Sequence, residues 1–294
     1  MFGLALDDAG VVAVRVGDGG VEARASARAE GGLAAAAARA LGEVGAGSDT
    51  RQLGVASAVP DSPAVAQALA QLAQRFTGQF TTHGATPAGM AAAVAEAWGG
   101  AARGVRDVVL FAVGAHAIGG VVRNGVPITG ARGRAGSVGW VSLNPVERED
   151  YRKVGCVEAE VAAAGIVRRM IWRIKAGDRS RVQDTVKDDL SAITVDHILG
   201  AARANDGVSI SVIRDTAKYL GMAAANLVAI ADPEMLVLGG IMASSADLFL
   251  EPIRHELGRR LPKGMMDRLA IESATLGDDA AAIGAARLAG APLP

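Results

Sequence analysis

The sequence has a single cysteine and no long apolar run. With Cys156 alone among 294 residues, an internal disulfide and a zinc site built from several cysteines are excluded. The longest apolar stretch, residues 226–242, is interrupted by Asp-Pro-Glu at 232–234, so no membrane-spanning segment is predicted. The first ten residues lack the basic and apolar segments of a secretory signal. These absences predict a cytoplasmic protein that does not associate with a membrane.

The sequence also has few aromatic residues and almost no net charge. Aromatic residues make up 3% of the chain while alanine is frequent, a composition that favours closely packed helices. The formal net charge is -1, which does not favour a protein that covers nucleic acid with a broad basic surface. Half of the residues are hydrophobic, which is enough for a sizeable core in one or two domains.

The chain begins with an antiparallel pattern. Apolar residues alternate with a period of two in residues 2–6, 12–16 and 21–25, and the turns DDAG and GDGG separate these segments. The pattern predicts a three-stranded meander. Further along, residues 107–114 have the composition of a buried strand, and Asn124-Gly125 suits the type I′ turn of a hairpin.

Helical patterns then alternate with strands. One helix is predicted to begin at Pro63, with Asp61 or Ser62 as its cap, and to stop at Gly78. Another is predicted to open at Asp278 and to close the chain. Helix–strand alternation after an antiparallel meander predicts an α/β fold.

Four segments have distinctive sequences: AKYLGMAAANLVAIADPEMLVLGG, GDDAAAIGAARLA, RNGVPITGARGRAGSVGW and GCVEAE. They resemble the ROK family, a group of repressors, uncharacterised reading frames and sugar kinases with the actin-like ATPase fold. The resemblance implies an α/β, two-lobed actin-like (ribonuclease H-like) fold with a cleft between the lobes. The implied N-terminal lobe takes residues 1–112 with a closing helix at 281–294, and the C-terminal lobe takes residues 113–280. Fold does not imply activity, so each part of the kinase site is compared separately.

The catalytic base of the family's kinases has no counterpart in this sequence. The family places an Asn-Asp pair ahead of an alanine-rich helix, which GMAAAVAEAWGG matches. Counting back from Glu96 puts the pair at Pro87 and Ala88, and no acidic residue occurs between Asp61 and Glu96. Phosphoryl transfer to a sugar hydroxyl needs a proton acceptor, typically worth ~10²–10⁴-fold in rate. No catalytic residue is therefore predicted.

The first phosphate loop is altered. The resemblance aligns Asp7 and Gly10 with the family's D-x-G-G-T, but Val11 stands where the threonine would contact a phosphate oxygen. Residual affinity for a metal or nucleotide is one interpretation, and an ordinary β-turn is the favoured one.

The second phosphate loop is altered as well. The family's G-T-G-I-G-G-G corresponds to GAHAIGG, which retains Gly114, Gly119 and Gly120. Phosphate is cradled by bare backbone amides in such loops, whereas His116 adds a side chain. His116 is interpreted as a loop histidine in preference to an anion ligand.

The sugar loop keeps its glycines and changes its side chains. The family pattern A-G-E-x-G-H corresponds to residues 135–140, with Ser137 in place of the glutamate and Trp140 in place of the histidine. A serine still forms hydrogen bonds and a tryptophan stacks on a sugar ring, although space-filling is favoured for both. Glu158 matches a sugar-contacting glutamate of the family and is the best retained polar candidate.

Three remaining features are weighed in the same way. The family's zinc motif is reduced to Cys156, so no metal is predicted. Gly239 and Gly240 resemble a nucleotide-side turn, or simply begin a helix close to a strand. The basic segment RRMIWRIK, residues 168–175, is interpreted as a solvated helix face in preference to a contact with nucleic acid or an acidic partner.

These losses predict a non-catalytic protein, a pseudokinase with a sugar-sensing or transcription-regulatory role. An active ATP-dependent, glucokinase-like sugar kinase with atypical residues and a dimeric interaction module without a ligand stay open as alternatives. The family's repressors carry a winged helix-turn-helix ahead of this module, whereas this chain starts at the first strand, so no DNA-binding element is predicted in it. No cofactor is predicted, and the expected partners are a small sugar ligand and a second copy of the chain.

Overall fold

The computed structural model describes residues 1–47, 52–76 and 84–290. Contacts divide the chain into two compact units, which are treated separately below. Unit 1 comprises Met1–Leu110, Gly119–Gly136 and Ala274–Pro294, and unit 2 comprises Phe111–Ile118 and Ser137–Ser273.

The described residues form two five-stranded sheets. The strands are β1 (Phe2–Asp7), β2 (Gly10–Gly17), β3 (Gly20–Arg28), β4 (Leu53–Ser57), β5 (Thr86–Pro87), β6 (Val108–Val113), β7 (Ala117–Arg123), β8 (Val126–Pro127), β9 (Met235–Gly240) and β10 (Ala270–Ser273). Their order is β3-β2-β1-β4-β5 in the first sheet and β10-β9-β6-β7-β8 in the second.

The α-helices of the described residues are unevenly distributed, with most of them between β8 and β10. They are α1 (Leu33–Glu43), α2 (Pro63–Arg75), α3 (Ala88–Gly99), α4 (Glu149–Val154), α5 (Cys156–Val161), α6 (Ala163–Lys175), α7 (Arg181–Thr185), α8 (Val195–Arg203), α9 (Gly207–Ala231), α10 (Ile241–Ser244), α11 (Ala246–Arg260), α12 (Lys263–Met266) and α13 (Ala280–Gly290). None of these helices combines the length and the apolar character needed to cross a bilayer.

The first sheet joins the meander to two parallel strands. Strand β2 pairs antiparallel with β1 and β3, which confirms the predicted meander. Strands β1 and β4 are parallel, and so are β4 and β5, with Ser57 beside Pro87. The carboxyl ends of the three parallel strands therefore lie at one edge of the sheet, where β5 leads directly into α3.

Helices cover both faces of this sheet. Neighbouring strand residues point to opposite faces, so Val55 and Ala56 of β4 enter different clusters. Val55 packs in a large aliphatic cluster with Leu72 of α2. Ala56 packs with Ala91 of α3 and Ala285 of α13, and these small side chains allow close approach of the helices.

In unit 2 the longest helix is α9. The Asp206 side chain caps its first turn by accepting a hydrogen bond from the Ser209 N–H at 2.9 Å. The helix ends at Asp232, whose φ of 43° is left-handed and stops the helical repeat. Helices α6 and α11 both contact α9, which makes α9 the element around which this unit is packed.

The structure decides several local predictions. The cap of α2 is Ser62 rather than Asp61, because the Ser62 hydroxyl accepts a hydrogen bond from the Val65 N–H at 3.2 Å. The hairpin of β7 and β8 is confirmed, with positive φ at both Asn124 (52°) and Gly125 (79°) as a type I′ turn requires.

Helix α13 starts later than predicted, and two other predicted helix ends lie outside the residues that the structure describes. Helix α13 begins at Ala280 rather than Asp278, since Gly277–Asp279 form a short 3-10 turn ahead of it. The predicted helix stop at Gly78 and the last four positions of the predicted closing helix lie outside the described residues.

Candidate functional site

The position assigned to a catalytic base begins helix α3. Pro87 ends β5 beside Ser57, and Ala88 follows as the first helical residue with 7% of its surface exposed. The helix N-terminus therefore presents a methyl group at the edge of the sheet where the parallel strands end. An alanine side chain has no atom that accepts a proton.

The nearest carboxylates outside α3 in the sequence, Asp61 before it and Asp107 after it, have other partners in unit 1. Asp61 pairs with Arg134 at 2.9 Å. Asp107 accepts a hydrogen bond from the Asn124 N–H at 2.8 Å and so supports the β7–β8 hairpin. Neither residue lies in the first turn of α3.

Glu96, in the same helix, is completely buried and works as a structural clamp. Its Oε2 accepts a hydrogen bond from the Ala101 N–H at 2.7 Å, and its Oε1 accepts from the Thr275 and Leu276 N–H groups at 3.0 and 2.9 Å. One carboxylate thus ties the end of α3 to the segment that precedes α13. The sequence marked Glu96 only as an alignment point.

The segment aligned with the first phosphate loop, residues 7–11, forms a tight hairpin turn. Asp7 and Gly10 face each other as the closing pair of β1 and β2, and Asp7 Oδ1 accepts a hydrogen bond from the Ala9 N–H at 3.1 Å. A side-chain oxygen bonded two residues ahead is a common way to stabilise a turn. Val11, in the threonine position, is buried in β2.

The segment aligned with the second phosphate loop, residues 114–120, is hydrogen-bonded to the Glu158 side chain. His116 Nδ1 lies 2.8 Å from Oε1 of Glu158, and the Ala117 N–H donates to Glu158 Oε2 at 2.6 Å. An ionised carboxylate only accepts, so the imidazole Nδ1 carries the proton in this contact. The Glu158 carboxylate therefore accepts from a loop amide, as a bound phosphate does in a phosphate-binding loop.

The pairing of His116 with Glu158 was not predicted. The two residues are 42 positions apart, and the sequence assigned them to separate loops. The structure brings both predicted residues together in unit 2, on the loop before β7 and on α5.

Of the retained glycines, Gly120 has a packing role in unit 1, whereas a Cβ atom at Gly114 would meet no other atom within 4 Å. A Cβ atom at Gly89 would lie 2.1 Å from the Gly119 carbonyl oxygen, and one at Gly120 would lie 2.2 Å from the Gly89 oxygen. A Cβ atom at Gly136 would also meet Gly119, at 2.5 Å from its oxygen. Backbone packs directly against backbone here, so Gly89, Gly120 and Gly136 must be glycine whether or not a ligand binds.

The sugar-loop remnant forms a short 3-10 turn against α5. Val138 and Gly139 are buried, while Ser137 is exposed and Trp140 has 60% of its surface exposed. A Cβ atom at Gly139 would lie 3.3 Å from Oε2 of Glu158, so the turn rests beside that carboxylate. Two of the predicted elements, the turn and Glu158, are adjacent, and the Trp140 ring is open to solvent.

The remaining candidate positions, Cys156, Gly239 and Gly240, make packing contacts or backbone hydrogen bonds within unit 2. Cys156 is buried and its sulfur accepts a weak hydrogen bond from the Leu143 N–H at 3.5 Å. In the described ranges no three His, Cys, Asp or Glu residues are grouped to hold a metal. Gly239 and Gly240 end β9, and a Cβ atom at Gly240, whose φ is 62°, would lie 2.0 Å from the Val113 oxygen.

The sequence did not predict a cavity of about 620 Å³ in unit 2. Helices α6 and α9 and the segment before α4 form most of its wall. The lining residues are Leu143, Asn144, Arg148, Glu160, Gly165, Arg168, Arg169, Trp172, Asp215, Lys218, Tyr219, Met222 and Arg260. None of them belongs to the loops compared above.

The wall of this cavity contains a buried charge network. Glu160 has 4% of its surface exposed and pairs with Arg169 at 2.6 Å and Arg148 at 3.2 Å. The Tyr151 hydroxyl donates to the same carboxylate, and burial followed by this hydrogen bond raises the pKa of Tyr151 above its usual value. The interpretation of residues 168–175 as a solvated face is wrong for Arg169, whose side chain is only 15% exposed.

Comparison with known proteins gives sequence matches over most of the chain. A family model described as the ROK family matches residues 64–291. A glucokinase from Halalkalibacterium halodurans is 34% identical over 196 residues, which cover 66% of this chain and 59% of that protein. A xylose repressor from Caldicellulosiruptor bescii is 29% identical over 200 residues, which cover 66% and 48% respectively. The matched region is thus well under two thirds of either relative.

The fold is shared with solved structures. A ROK family glucokinase from Streptomyces griseus, crystallised with glucose and AMPPNP, superposes with a TM-score of 0.79 at 23% identity over 98% of both chains. The prediction of an α/β fold of the actin-like type is confirmed by this similarity. At this identity the match concerns the fold alone.

Proposed function

The chain belongs to the ROK family, and we propose that it is a member without phosphoryl-transfer activity that acts as a sugar-responsive regulatory module. The observation that carries the proposal is Ala88, a buried methyl group at the first position of α3. Relatives of both kinds occur, a glucokinase and a xylose repressor, so family membership alone does not choose between catalysis and regulation.

The chemistry of the altered loops supports the same proposal. Transfer of a phosphoryl group to a hydroxyl needs a proton acceptor and donors that stabilise the charge on the phosphate. Ala88 supplies no acceptor. The Ala117 N–H, which a phosphate would otherwise use, is already bonded to Glu158 at 2.6 Å. A phosphate at this loop would have to displace that carboxylate.

Sugar binding requires less than catalysis does. The exposed Trp140 ring offers a surface for stacking on a pyranose, and Ser137 offers a hydroxyl on the same turn. Glu158 and His116 form a polar pair beside that turn, with further acceptor capacity on the carboxylate. We expect these four residues to contact a small neutral sugar. The cytoplasmic location and the homodimer stay predictions.

The second candidate function is an active sugar kinase. Its support is the higher identity to the glucokinase, 34%, than to the xylose repressor, 29%. This candidate needs a proton acceptor from outside the first turn of α3. A dimeric interaction module without a ligand is the third candidate, and it requires neither a base nor a sugar contact.

A kinase assay separates the first two candidates. ADP release is measured with ATP, Mg²⁺ and each of glucose, N-acetylglucosamine, N-acetylmannosamine and xylose, and no turnover above the protein-free blank is expected. Turnover that scales with protein concentration and falls at least tenfold in a Glu158→Gln variant would establish the kinase instead. The variant excludes a contaminating host kinase, because such a contaminant does not respond to the substitution.

A melting experiment separates sensing from the ligand-free module. At a free sugar concentration a hundredfold above Kd, the stabilisation of the folded state is about 2.7 kcal/mol. We expect one sugar to raise the Tm of the wild type and to have much less effect on Trp140→Ala. Trp172→Ala removes another exposed tryptophan away from the sugar loop and serves as the matched control. If no sugar changes the Tm, the interaction module is the better description.

A further inference from the structure

The cavity in unit 2 has the size and the lining of a separate ligand site. Its volume of about 620 Å³ lies within the usual ~300–1,000 Å³ range of small-molecule sites. Glu158 and Glu160 are two positions apart on α5, and residues at that spacing in an α-helix point to nearly opposite sides. Glu158 faces the altered loops, and Glu160 lines the cavity.

The charge of the lining is predominantly positive. Five cationic side chains line the cavity against two carboxylates, and they are Arg148, Arg168, Arg169, Lys218 and Arg260 against Glu160 and Asp215. Two of the arginines share the single carboxylate of Glu160. Lys218 is exposed and makes no ion pair with any residue that the structure describes. Arg168 is paired with Asp150 and Arg260 with Glu256. The positive charge that an anion meets therefore comes from Lys218 and from the second arginine on Glu160.

The two central arginines are held rigidly. Arg168 donates to Asp150 and to the Ala159 carbonyl oxygen, both at 2.7 Å, while its buried Nε has no hydrogen-bond partner in the described chain. Arg169 donates to the Thr216 hydroxyl at 2.8 Å in addition to its pairing with Glu160. Cations fixed in this way do not lose side-chain freedom when a ligand binds.

Aromatic rings form the apolar part of the lining. The Arg168 guanidinium carbon lies 5.1 Å from the centre of the Trp172 ring, and that of Arg169 lies 5.6 Å from the centre of the Tyr219 ring. Trp172 is 52% exposed, so one part of its indole remains open to a ligand. Cationic groups and open aromatic surface occur side by side along one cavity.

We propose that this cavity binds a small phosphomonoester that carries a ring, with Lys218 contacting the phosphate and Trp172 stacking on the ring. Arg168 and Arg169, each paired with a carboxylate, form the rigid wall beside these two contacts. The site is independent of the altered kinase loops and of the sugar response proposed above. It gives the protein a second ligand of a different chemical class.

Calorimetric titration of the full chain with phenyl phosphate tests the proposal, with benzyl alcohol as the neutral ring and inorganic phosphate as the ringless anion. Saturable binding of phenyl phosphate is expected, stronger than that of either comparator. Lys218→Gln should weaken it by about tenfold, as loss of one charge-assisted contact does. Lys263→Gln removes one exposed charge on α12 outside the lining and should leave the affinity unchanged.

A second variant tests the stacking contact. Trp172→Ala should lower the affinity for phenyl phosphate severalfold and leave that for inorganic phosphate unaltered. The proposal is overturned if phenyl phosphate shows no saturable binding up to millimolar concentration. It is equally overturned if benzyl alcohol binds as tightly as phenyl phosphate, or if Lys218→Gln and Lys263→Gln have the same effect in proteins with unchanged melting curves.

Discussion

Glu96 in unit 1 and Glu160 in unit 2 are the most deeply buried glutamates among the described residues, and they are stabilised by different donors. Glu96 in unit 1 accepts hydrogen bonds from the backbone N–H groups of Ala101, Thr275 and Leu276. Glu160 in unit 2 is bonded to the side chains of two arginines and a tyrosine. Glu96 thus accepts hydrogen bonds from uncharged groups, and Glu160 accepts most of its hydrogen bonds from cationic groups.

The difference shows where each unit places its chemistry. Backbone N–H groups satisfy the Glu96 carboxylate without a cationic partner. The end of α3 is therefore fixed by hydrogen bonds from uncharged donors. Around Glu160, two guanidinium groups face one carboxylate at the wall of a cavity, and the excess charge is accessible. Helix α3 thus begins with the methyl group of Ala88, while the charged side chains of unit 2 line a cavity.

Removal of Glu160 should have the largest effect. Glu160→Ala leaves Arg169 largely buried without its carboxylate, and breaking a buried pair in this way costs about 3–5 kcal/mol in the free energy of unfolding. Urea denaturation followed by circular dichroism measures it. Glu149→Ala, which breaks an exposed pair with Lys153 on α4, should cost ~0.5 kcal/mol or less. A loss below about 1 kcal/mol for Glu160→Ala would mean that the arginines do not depend on this carboxylate.

Glu96→Gln should have an intermediate effect. In the amide one oxygen becomes an NH₂ group. Placed at Oε2, this group can donate to the Thr275 hydroxyl but leaves the Ala101 N–H without an acceptor, and a buried donor without an acceptor costs ~1–3 kcal/mol. No unpaired cation is left behind, so the loss should be smaller than for Glu160→Ala. Glu147→Gln, at an exposed pair with Arg152, is the matched control. An equal or larger loss than for Glu160→Ala would reverse the comparison.

The sequence allowed much of the fold to be predicted, because its signals are local. The alternation over residues 2–25 predicted the meander, and Asn124-Gly125 predicted the hairpin turn. The alanine-rich segment GMAAAVAEAWGG predicted a helix, and the structure has one at Ala88–Gly99. Each of these depends only on residues close together in the chain.

The contacts within the sites could not be predicted in this way. Glu158 reaches His116 across 42 positions, and nothing in either segment indicates the partner. RRMIWRIK has a charged pattern that a solvated helix and a cavity wall share equally. The burial of Arg169 depends on Glu160 and on Thr216 of another helix, so a linear pattern gives no sign of it.

A third carboxylate, Asp206, sharpens the comparison by its response to pH. Like Glu96 it accepts hydrogen bonds from neutral groups, which are the N–H groups of Arg181 and Ser209 and the Ser180 hydroxyl. Burial alone would raise its pKa, but these bonds outweigh burial, so the pKa of Asp206 lies below its usual value. A depressed pKa stabilises the folded state above the unfolded value of about 3.9, and this contribution is lost as the pH falls through the folded pKa.

Asp206→Asn should therefore have the smallest effect, and one that depends on pH. The loss is expected to be about 1 kcal/mol at pH 7, since bonds to a charged acceptor are stronger than those to an amide. It should disappear below the folded pKa, where the wild-type carboxyl is protonated and resembles the amide. Urea denaturation from pH 7 down to pH 2.5 measures the difference, with the exposed Asp215→Asn on the same helix as the control. A loss that is constant with pH would mean that the geometry of the cap, and not its charge, stabilises α9.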